Sequence, residues 1–222
     1  MKSLLTTGAS NSKLYLLCGK RIFDLLLSIL VLIAILPILV IVAFLVRIRL
    51  GSPVLFTQMR PGLHEKPFTI LKFRTMKDLR DENGKMLSDD KRLTRLGVLL
   101  RKTSVDELPE LINVIKGEMS IVGPRPLFME YLPYYTEREH LRHTVRPGIT
   151  GLSQISGRNY LPWDERLEMD VLYVEKVSFL FDIKIIFQTF SRVLKAKDVA
   201  VLPGTVSTPL SEYRKNKKIE SN

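Results

Sequence analysis

The sequence predicts an α-rich α+β protein in which a compact, cytosol-facing domain follows an N-terminal re-entrant membrane helix that is broken at Pro37. Three observations predict it: an uncharged apolar run over 25–46, two short β-like segments that form a small β-hairpin, and later segments with helical periodicity, which include interfacial amphipathic helices. We divide the chain into an N-terminal segment with the membrane helix (1–50), a domain with the interfacial helices (51–205), and a polar, basic tail (206–222), which we expect to be mobile.

Composition limits the class of protein. The 222 residues include 34 Lys plus Arg against 23 Asp plus Glu, a net charge of +11, which indicates an anionic partner such as nucleic acid, a phosphorylated molecule or an anionic membrane. The single Cys excludes an intramolecular disulfide framework and a Cys-rich zinc module. At 26% charged and 45% hydrophobic residues, the chain is not intrinsically disordered.

The apolar run over 25–46 predicts a membrane helix. As a helix it is about 33 Å long, which is enough to cross a hydrocarbon core of about 30 Å. Basic residues flank it on both sides: Lys20, Arg21, Arg47 and Arg49. Because basic flanks stay cytosolic, a simple span would force one cluster outside. Pro37 breaks or kinks a helix, so we prefer a re-entrant hairpin; the alternative is a kinked single span, since prolines are common in spanning helices.

The segments 53–58 and 68–76 are rich in branched and aromatic residues and predict two strands, with a turn over 60–66 between them. A polar loop follows over 78–91. Further helices are predicted over 92–102, over 108–116 with an end at Gly117, over 127–142 and over 163–176. The segment 177–195 is amphipathic, and its apolar stripe fits either an ordinary core-facing helix or a helix lying in the membrane interface.

The strongest local motif is the acidic segment around Asp106 and Glu107. One interpretation is helix capping, either by Ser104 and Glu107 as S-x-x-E or by Asp106 with Pro109 in the first turn. The other is chemical: a carboxylate pair at a helix start is favoured in its ionised form. An ionised Asp can attack phosphorus, and an adjacent Glu can hold a divalent cation.

Many cations surround this pair in the sequence, and most cations on a protein are simply solvated. Arg125 and Arg146 each lie in a rigid Pro-containing loop that can hold a guanidinium for bidentate phosphate contact. Glycines at 148, 151 and 157 allow close backbone approach to a phosphate or nucleotide. The pattern favours metal-assisted phosphoryl transfer, with Arg125 and Arg146 as the cations that stand out for phosphate binding.

The chain resembles the bacterial sugar transferases, specifically the small monotopic phosphoglycosyl transferases, over about residues 13–200. The resemblance rests on ordered motifs: Lys20-Arg21-Ile22-Phe23-Asp24, Phe56-Thr57-Gln58, Arg60-Pro61-Gly62, Lys72-Phe73-Arg74-Thr75-Met76, Asp106-Glu107-Leu108-Pro109, Gly117-Glu118-Met119-Ser120-Ile121-Val122-Gly123-Pro124-Arg125-Pro126 and Arg146-Pro147-Gly148-Ile149-Thr150-Gly151.

The resemblance implies an enzyme of the bacterial inner membrane, monotopic and with its active site facing the cytoplasm. Such enzymes transfer a phospho-sugar from a UDP-sugar to undecaprenyl phosphate, release UMP and begin assembly of a surface or glycoprotein glycan. Asp106 would be the nucleophile that forms a covalent aspartyl intermediate. Glu107, together with Asp106, would hold Mg²⁺, for which Mn²⁺ can substitute. Residues 51–205 would then be the catalytic domain.

The resemblance also implies partners. Lys72, Arg125 and Arg146 are expected to contact phosphate, Arg101 to pair with the carboxylates, and Arg158 to contact the nucleotide. We expect an N-acetylated amino sugar, although users of UDP-glucose and UDP-galactose share the motifs. The expected partners are UDP-sugar, undecaprenyl phosphate and inner-membrane lipids, with no nucleic acid, and a homodimer is compatible with the sequence. The alternative is a membrane-anchored, polyanion-binding protein without catalysis.

Overall fold

The computed structural model describes residues 15–157, 161–194 and 208–220. The protein is helix-rich. The α-helices are α1 (Lys20–Leu50), α2 (Asp89–Arg92), α3 (Arg95–Thr103), α4 (Glu110–Lys116), α5 (Glu137–His140), α6 (Leu152–Ser156), α7 (Trp163–Lys176), α8 (Phe179–Leu194) and α9 (Leu210–Glu220). The strands are β1 (Leu55–Pro61), β2 (Pro67–Phe73), β3 (Ser120–Val122) and β4 (Gly148–Thr150). A π-helical turn at Tyr15–Gly19 precedes α1, and 3₁₀ turns lie at Leu63–Glu65, Val105–Glu107, Met129–Tyr134 and Leu141–Thr144.

Helix α1 carries the apolar run. Its 31 residues would be about 46 Å long if straight, and its length and composition are sufficient to cross a membrane. Pro37 lies inside this helix, so the predicted break is not a helix end. A proline removes its own amide bond and crowds the preceding turn, but the Leu- and Ile-rich turns on either side of it continue as helix. The middle of α1 is exposed, as at Leu30 and Ile33, each 67% accessible.

The first turns of α1 are fixed to the domain by polar contacts. The buried carboxylate of Asp24 accepts hydrogen bonds from the Ser120 hydroxyl (2.7 Å) and the Ile121 amide (3.1 Å) at β3. The Arg21 guanidinium donates to the carbonyl oxygen of Val114 (2.5 Å) near the end of α4. These contacts satisfy a buried charge and give a second donor to a helix-end carbonyl that also accepts from the Gly117 amide.

The last turns of α1 pack on the same domain through apolar contacts. Val42, Val46 and Leu50 form one core cluster with Phe73 of β2 and Leu100 of α3. Both ends of α1 therefore contact one globular unit, and only the stretch between them is left exposed.

The predicted hairpin is confirmed. Strands β1 and β2 are antiparallel, with Phe56 opposite Lys72 and Arg60 opposite Phe68. Pro61 belongs to β1, so the turn is shorter than expected. The turn holds two consecutive residues with positive φ, His64 (53°) and Glu65 (62°).

A second sheet, which the sequence did not predict, joins two distant loops. Strands β3 and β4 pair in parallel, with Ser120 opposite Gly148 and Val122 opposite Thr150. A Cβ at Gly148 would lie 2.1 Å from the Gly123 amide nitrogen, so only glycine permits this approach. Strands of three residues have no periodic pattern, and their pairing therefore cannot be recognised locally.

Helices α7 and α8 pack around this small sheet. Val122, Ile155, Tyr173 and Ile185 belong to one buried cluster there. The helix predicted over 163–176 has those bounds, and the amphipathic helix is confirmed as α8. While Ile185 is buried, the opposite face of α8 is apolar and exposed at Leu180, Phe187 and Phe190.

Two predicted segments differ in the structure. The region 127–142 is not one helix: Thr136 caps a new helix with a capping box through Glu139, and 3₁₀ turns lie on either side of it. The expectation of a mobile tail is wrong for residues 210–220, which form α9. Leu210 is fully buried, and Arg214 donates to Asp164 at 2.8 Å. The segment packs on the domain because apolar residues are spaced among its basic residues and can reach the core.

Candidate active site

The two predicted catalytic carboxylates lie in a tight turn between α3 and α4. Ser104 adopts a left-handed conformation (φ 57°) that ends α3, and the 3₁₀ turn Val105–Glu107 follows it. Ser104 makes no side-chain capping bond to this turn, and the N-cap position of α4 is Pro109 rather than Asp106. The capping interpretation of this motif is therefore wrong. Asp106 is nonetheless buried, with an exposed fraction of 9%.

Glu107 is held by two cations from different parts of the chain. The ammonium of Lys72, on β2, lies 2.5 Å from Glu107 Oε1, and the guanidinium of Arg125, in the loop after β3, lies 2.7 Å from the same oxygen. Lys72 also lies 3.1 Å from Glu110 Oε1. The structure thus brings together the acidic pair and two of the predicted phosphate-binding residues.

The environment separates the pKa values of the carboxyl groups. Burial raises the pKa of Asp106 to about 6, with a further contribution from the charge of Glu107. Burial also opposes ionisation of Glu107, but the charges of Arg125 and Lys72 outweigh it and hold the pKa of Glu107 below its usual range. At neutral pH both groups are ionised, and Asp106 is the more basic of the two. Asp106 is ionised and desolvated, and the charge of the neighbouring Glu107 is offset by two cations, so Asp106 is suited to act as the nucleophile.

Arg101 faces Asp106 from the last turn of α3. Its Nε donates to the Thr75 hydroxyl at 3.1 Å. Burial lowers the pKa of Arg101, and the charge of Asp106 opposes that shift, which indicates that the two charges act on each other.

The structure does not bring Arg146 to the carboxylates. Its Nε donates to the Gly117 carbonyl oxygen (2.8 Å) at the end of α4 opposite the acidic pair. There it lines a cavity of about 260 Å³ with Lys66 of the hairpin turn and Phe68 of β2. Arg158 lies outside the described residues. Phosphate binding by these two arginines stays a prediction.

Two residues of the site were not predicted. Glu110 is buried one helical turn after Glu107 and shares Lys72 with it; burial raises the pKa of Glu110 to about 7. Arg60 lies on the hairpin face that carries Lys72. The i, i+3 spacing of two acids could have indicated Glu110, since such residues share one side of a helix. Arg60 could only be found through the register of the hairpin.

The chemistry of Mg²⁺ fits the acidic pair. Among the residues that the structure describes, no group of three or more His, Cys, Asp or Glu side chains could hold a metal ion. Mg²⁺ typically uses one or two carboxylates and completes its octahedron with water and substrate phosphate. Asp106 and Glu107 offer two carboxylates in one turn, and Oε1 of Glu107 is paired with Lys72 and Arg125.

A buried carboxylate nucleophile surrounded by cations is typical of enzymes that transfer phosphorylated groups, because the cations offset the charge of the substrate. Beside an exposed apolar helix, such a site defines a membrane-associated phosphate-transfer protein. Comparison with known proteins specifies the class. The model of the bacterial sugar transferase family matches residues 15–196, and the chain belongs to this family.

Curated relatives agree with this assignment. The chain is 52% identical over 180 residues to the uncharacterized sugar transferase EpsL of Bacillus subtilis, and the match covers 81% of this chain and 89% of EpsL. It is 40% identical over 192 residues to the exopolysaccharide production protein ExoY of Sinorhizobium fredii (79% and 85%). It is 42% identical over 182 residues to the UDP-glucose:undecaprenyl-phosphate glucose-1-phosphate transferase of Escherichia coli, covering 77% of this chain but 39% of that longer protein.

Proposed function

We propose that the protein transfers a sugar 1-phosphate from a UDP-sugar to undecaprenyl phosphate and releases UMP through a covalent aspartyl intermediate. The observation that carries the proposal is the buried Asp106 carboxylate beside Glu107, which Lys72 and Arg125 hold by ion pairs at 2.5 and 2.7 Å. The name of the Escherichia coli relative describes the same overall transfer with glucose.

In the first step a carboxylate oxygen of Asp106 attacks the β-phosphorus of the UDP-sugar. An oxygen–phosphorus bond forms, the bond from that phosphorus to the bridging oxygen breaks, and UMP leaves with the bonding electron pair. Lys72 and Arg125 lie where they can offset the charge that develops on the phosphoryl oxygens. Glu107 is the weaker nucleophile of the two, because its ion pairs with Lys72 and Arg125 occupy its carboxylate and lower its basicity.

In the second step a phosphate oxygen of the lipid attacks the same phosphorus. The acyl phosphate bond breaks, Asp106 leaves as a carboxylate, and the product is the lipid diphosphate sugar. The covalent route divides one difficult displacement into two, so the two substrates need not be bound at once. Bound Mg²⁺, or Mn²⁺ in its place, would add positive charge at the diphosphate, and Asp106 and Glu107 are the residues that would hold it.

We also propose that α1 is re-entrant and holds the site at the cytoplasmic face of the inner membrane. Asp24 and Val42, which both contact the domain, are 18 residues apart, or about 27 Å along a straight helix. A helix anchored to one domain at both points cannot place them on opposite sides of a core about 30 Å thick. Pro37 lies between the anchors, where a bend would let both ends return to the domain.

The topology can be tested by impermeant thiol labelling in intact cells. In a variant with Cys18→Ser, single cysteines replace Tyr15 or Ser52, which lie on either side of α1. We expect labelling of neither position until the cells are opened. Labelling of one position from outside would contradict the re-entrant arrangement and indicate a single span.

The transfer is tested by UMP release from a panel of UDP-sugars with undecaprenyl phosphate and Mg²⁺. Asp106→Asn should abolish release. Asp78→Asn is the matched control, because Asp78 is an exposed acid that pairs with Arg80 on the surface. Robust turnover by Asp106→Asn would disprove the covalent route. Release of UDP instead would indicate glycosyl transfer without phosphate, and no nucleotide release with steeply salt-dependent binding would favour a polyanion-binding protein.

The sugar is decided by the same panel. The resemblance of the motifs predicts an N-acetylated amino sugar, whereas the name of the Escherichia coli relative specifies glucose. The panel therefore contains UDP-glucose, UDP-galactose and UDP-N-acetylglucosamine. The highest kcat/KM among them identifies the donor.

A further inference from the structure

Arg60 lies on the same face of the hairpin as the active-site lysine. In the register of β1 and β2, Arg60 is opposite Phe68 and Lys72 is opposite Phe56. Since side chains directly opposite each other share a face and alternate residues return to it, Arg60, Gln58 and Lys72 project to one side. Arg60 and Lys72 are separated by four residue steps along this face, which is about 14 Å.

Neighbouring side chains fix the plane of the Arg60 guanidinium. Its Cζ lies 3.8 Å from the centroid of the Phe128 ring, and its Nη2 donates to Gln58 Oε1 at 2.7 Å. The buried Nε has no hydrogen-bond partner among the described residues. Stacking on an aromatic face orients a guanidinium and leaves its N–H edge available for a planar or tetrahedral anion.

Arg60 also carries a charge that the described protein does not neutralise by contact. None of the ion pairs between described residues includes Arg60, whereas Arg125 and Lys72 are both paired with Glu107. Burial and the nearby positive charge of Arg125 together lower the pKa of Arg60 to about 10, and the charge of Glu110 opposes this shift. Two guanidinium groups that repel each other inside a site are stabilised when an anion lies between them.

We propose that Arg60 binds a phosphate group of a substrate, which it shares with Arg125 in the active site. This inference rests on the proposed function. The phosphate belongs either to the diphosphate of the UDP-sugar or to the lipid acceptor, and both offer the same oxygens. Bidentate contact from the N–H edge of Arg60 fits either source.

The first experiment measures anion binding without catalysis. Calorimetric titration with inorganic pyrophosphate compares the wild-type protein with Arg60→Met, which removes the charge and keeps an apolar stem for Phe128. We expect affinity to fall at least about ten-fold. Arg138→Met is the matched control, because Arg138 is an exposed arginine paired with Glu168 and Glu175, and its affinity should match wild type. Equal affinities of Arg60→Met and wild type would overturn the inference, whether or not the protein is a transferase.

The second experiment identifies the source of the phosphate. Single-turnover UMP release without lipid gives the half-saturating concentration of the UDP-sugar, because the reaction then stops at the proposed aspartyl intermediate, and the full reaction gives the KM for undecaprenyl phosphate. A rise of at least about ten-fold in the half-saturating UDP-sugar concentration assigns Arg60 to the diphosphate, and a rise in the KM for the lipid alone assigns it to the lipid. A change below two-fold in both would overturn the inference. If Arg60→Met does not fold, Arg60→Lys serves in both measurements: it keeps the charge, loses the fork, and should weaken binding by about three- to ten-fold.

If the wild-type protein released no UMP from any UDP-sugar, the proposed function would fail. The pyrophosphate titration would still decide whether Arg60 and Arg125 form an anion site.

Discussion

Neutralising Asp106 should stabilise the fold while it abolishes transfer. The carboxyl group is buried beside Glu107, and its pKa rises from 3.8 to about 6. When the pKa of a carboxyl group is higher in the folded than in the unfolded state, folding becomes less favourable as pH rises from the unfolded-state pKa to the folded-state pKa. Asp106→Asn removes this cost because the amide stays uncharged.

The magnitude follows from the two pKa values. At pH 7 the cost of ionising Asp106 in the fold is about 3 kcal/mol, and at pH 5 it is about half of that. Asp106→Asn should therefore gain about 1 kcal/mol more at pH 7 than at pH 5. For a protein of this size such a difference corresponds to about 2–4 °C in Tm. Any effect of the amide itself is the same at both pH values and cancels in the comparison.

The assay is thermal unfolding in detergent without divalent cations, at pH 5 and pH 7, for wild type and Asp106→Asn. Asp78→Asn again serves as the exposed control, and its Tm difference from wild type should not depend on pH in this way. If the gain from Asp106→Asn were equal at both pH values, or larger at pH 5, the assignment of a raised pKa to Asp106 would be refuted.

Three further predictions follow from the same contacts. Lys72→Met should lower the rate of UMP release by about 10²–10³-fold, because Glu107 and Glu110 lose their shared cation. The control is Lys91→Met on the exposed surface, and an unchanged rate in a folded Lys72→Met variant would contradict the prediction. The rate of UMP release should fall as pH falls through about 6, as Asp106 is protonated, and a flat profile between pH 5 and 8 would contradict it. Truncation after residue 207 should destabilise the fold by about 2–5 kcal/mol, measured by thermal unfolding, because buried Leu210 leaves a cavity; truncation after 220 is the control, and equal Tm values would be the contrary result.

Local sequence patterns predicted the elements whose stability depends on nearby residues. The apolar run, the hairpin, α7 and the amphipathic α8 all follow from the composition or periodicity of contiguous residues. The parallel pair β3–β4 and the docking of α9 depend on partners elsewhere in the chain. Their segments are short or polar, so the patterns over 120–122 and 210–220 indicated loop and tail instead.

The same division applies to the candidate site. The proline-rich loops at Arg125 and Arg146 predicted two rigid guanidinium groups equally well. Rigidity does not specify direction, however: Arg125 contacts Glu107, whereas Arg146 contacts the carbonyl oxygen of Gly117 at the far end of α4. Arg60 was missed because only the strand register places it on the face of Lys72.

The contacts of Asp24 connect the membrane helix to the catalytic geometry. Asp24 accepts a hydrogen bond from Ser120 at the start of β3, and the loop that ends at Arg125 begins where β3 ends. Arg125 in turn holds Glu107 at 2.7 Å. A displacement of the first turns of α1 would therefore move β3 and, through it, the cation that keeps Glu107 ionised. Under the re-entrant arrangement proposed above, α1 lies in lipid, so lipid that shifts its first turns would also shift this cation of the candidate site.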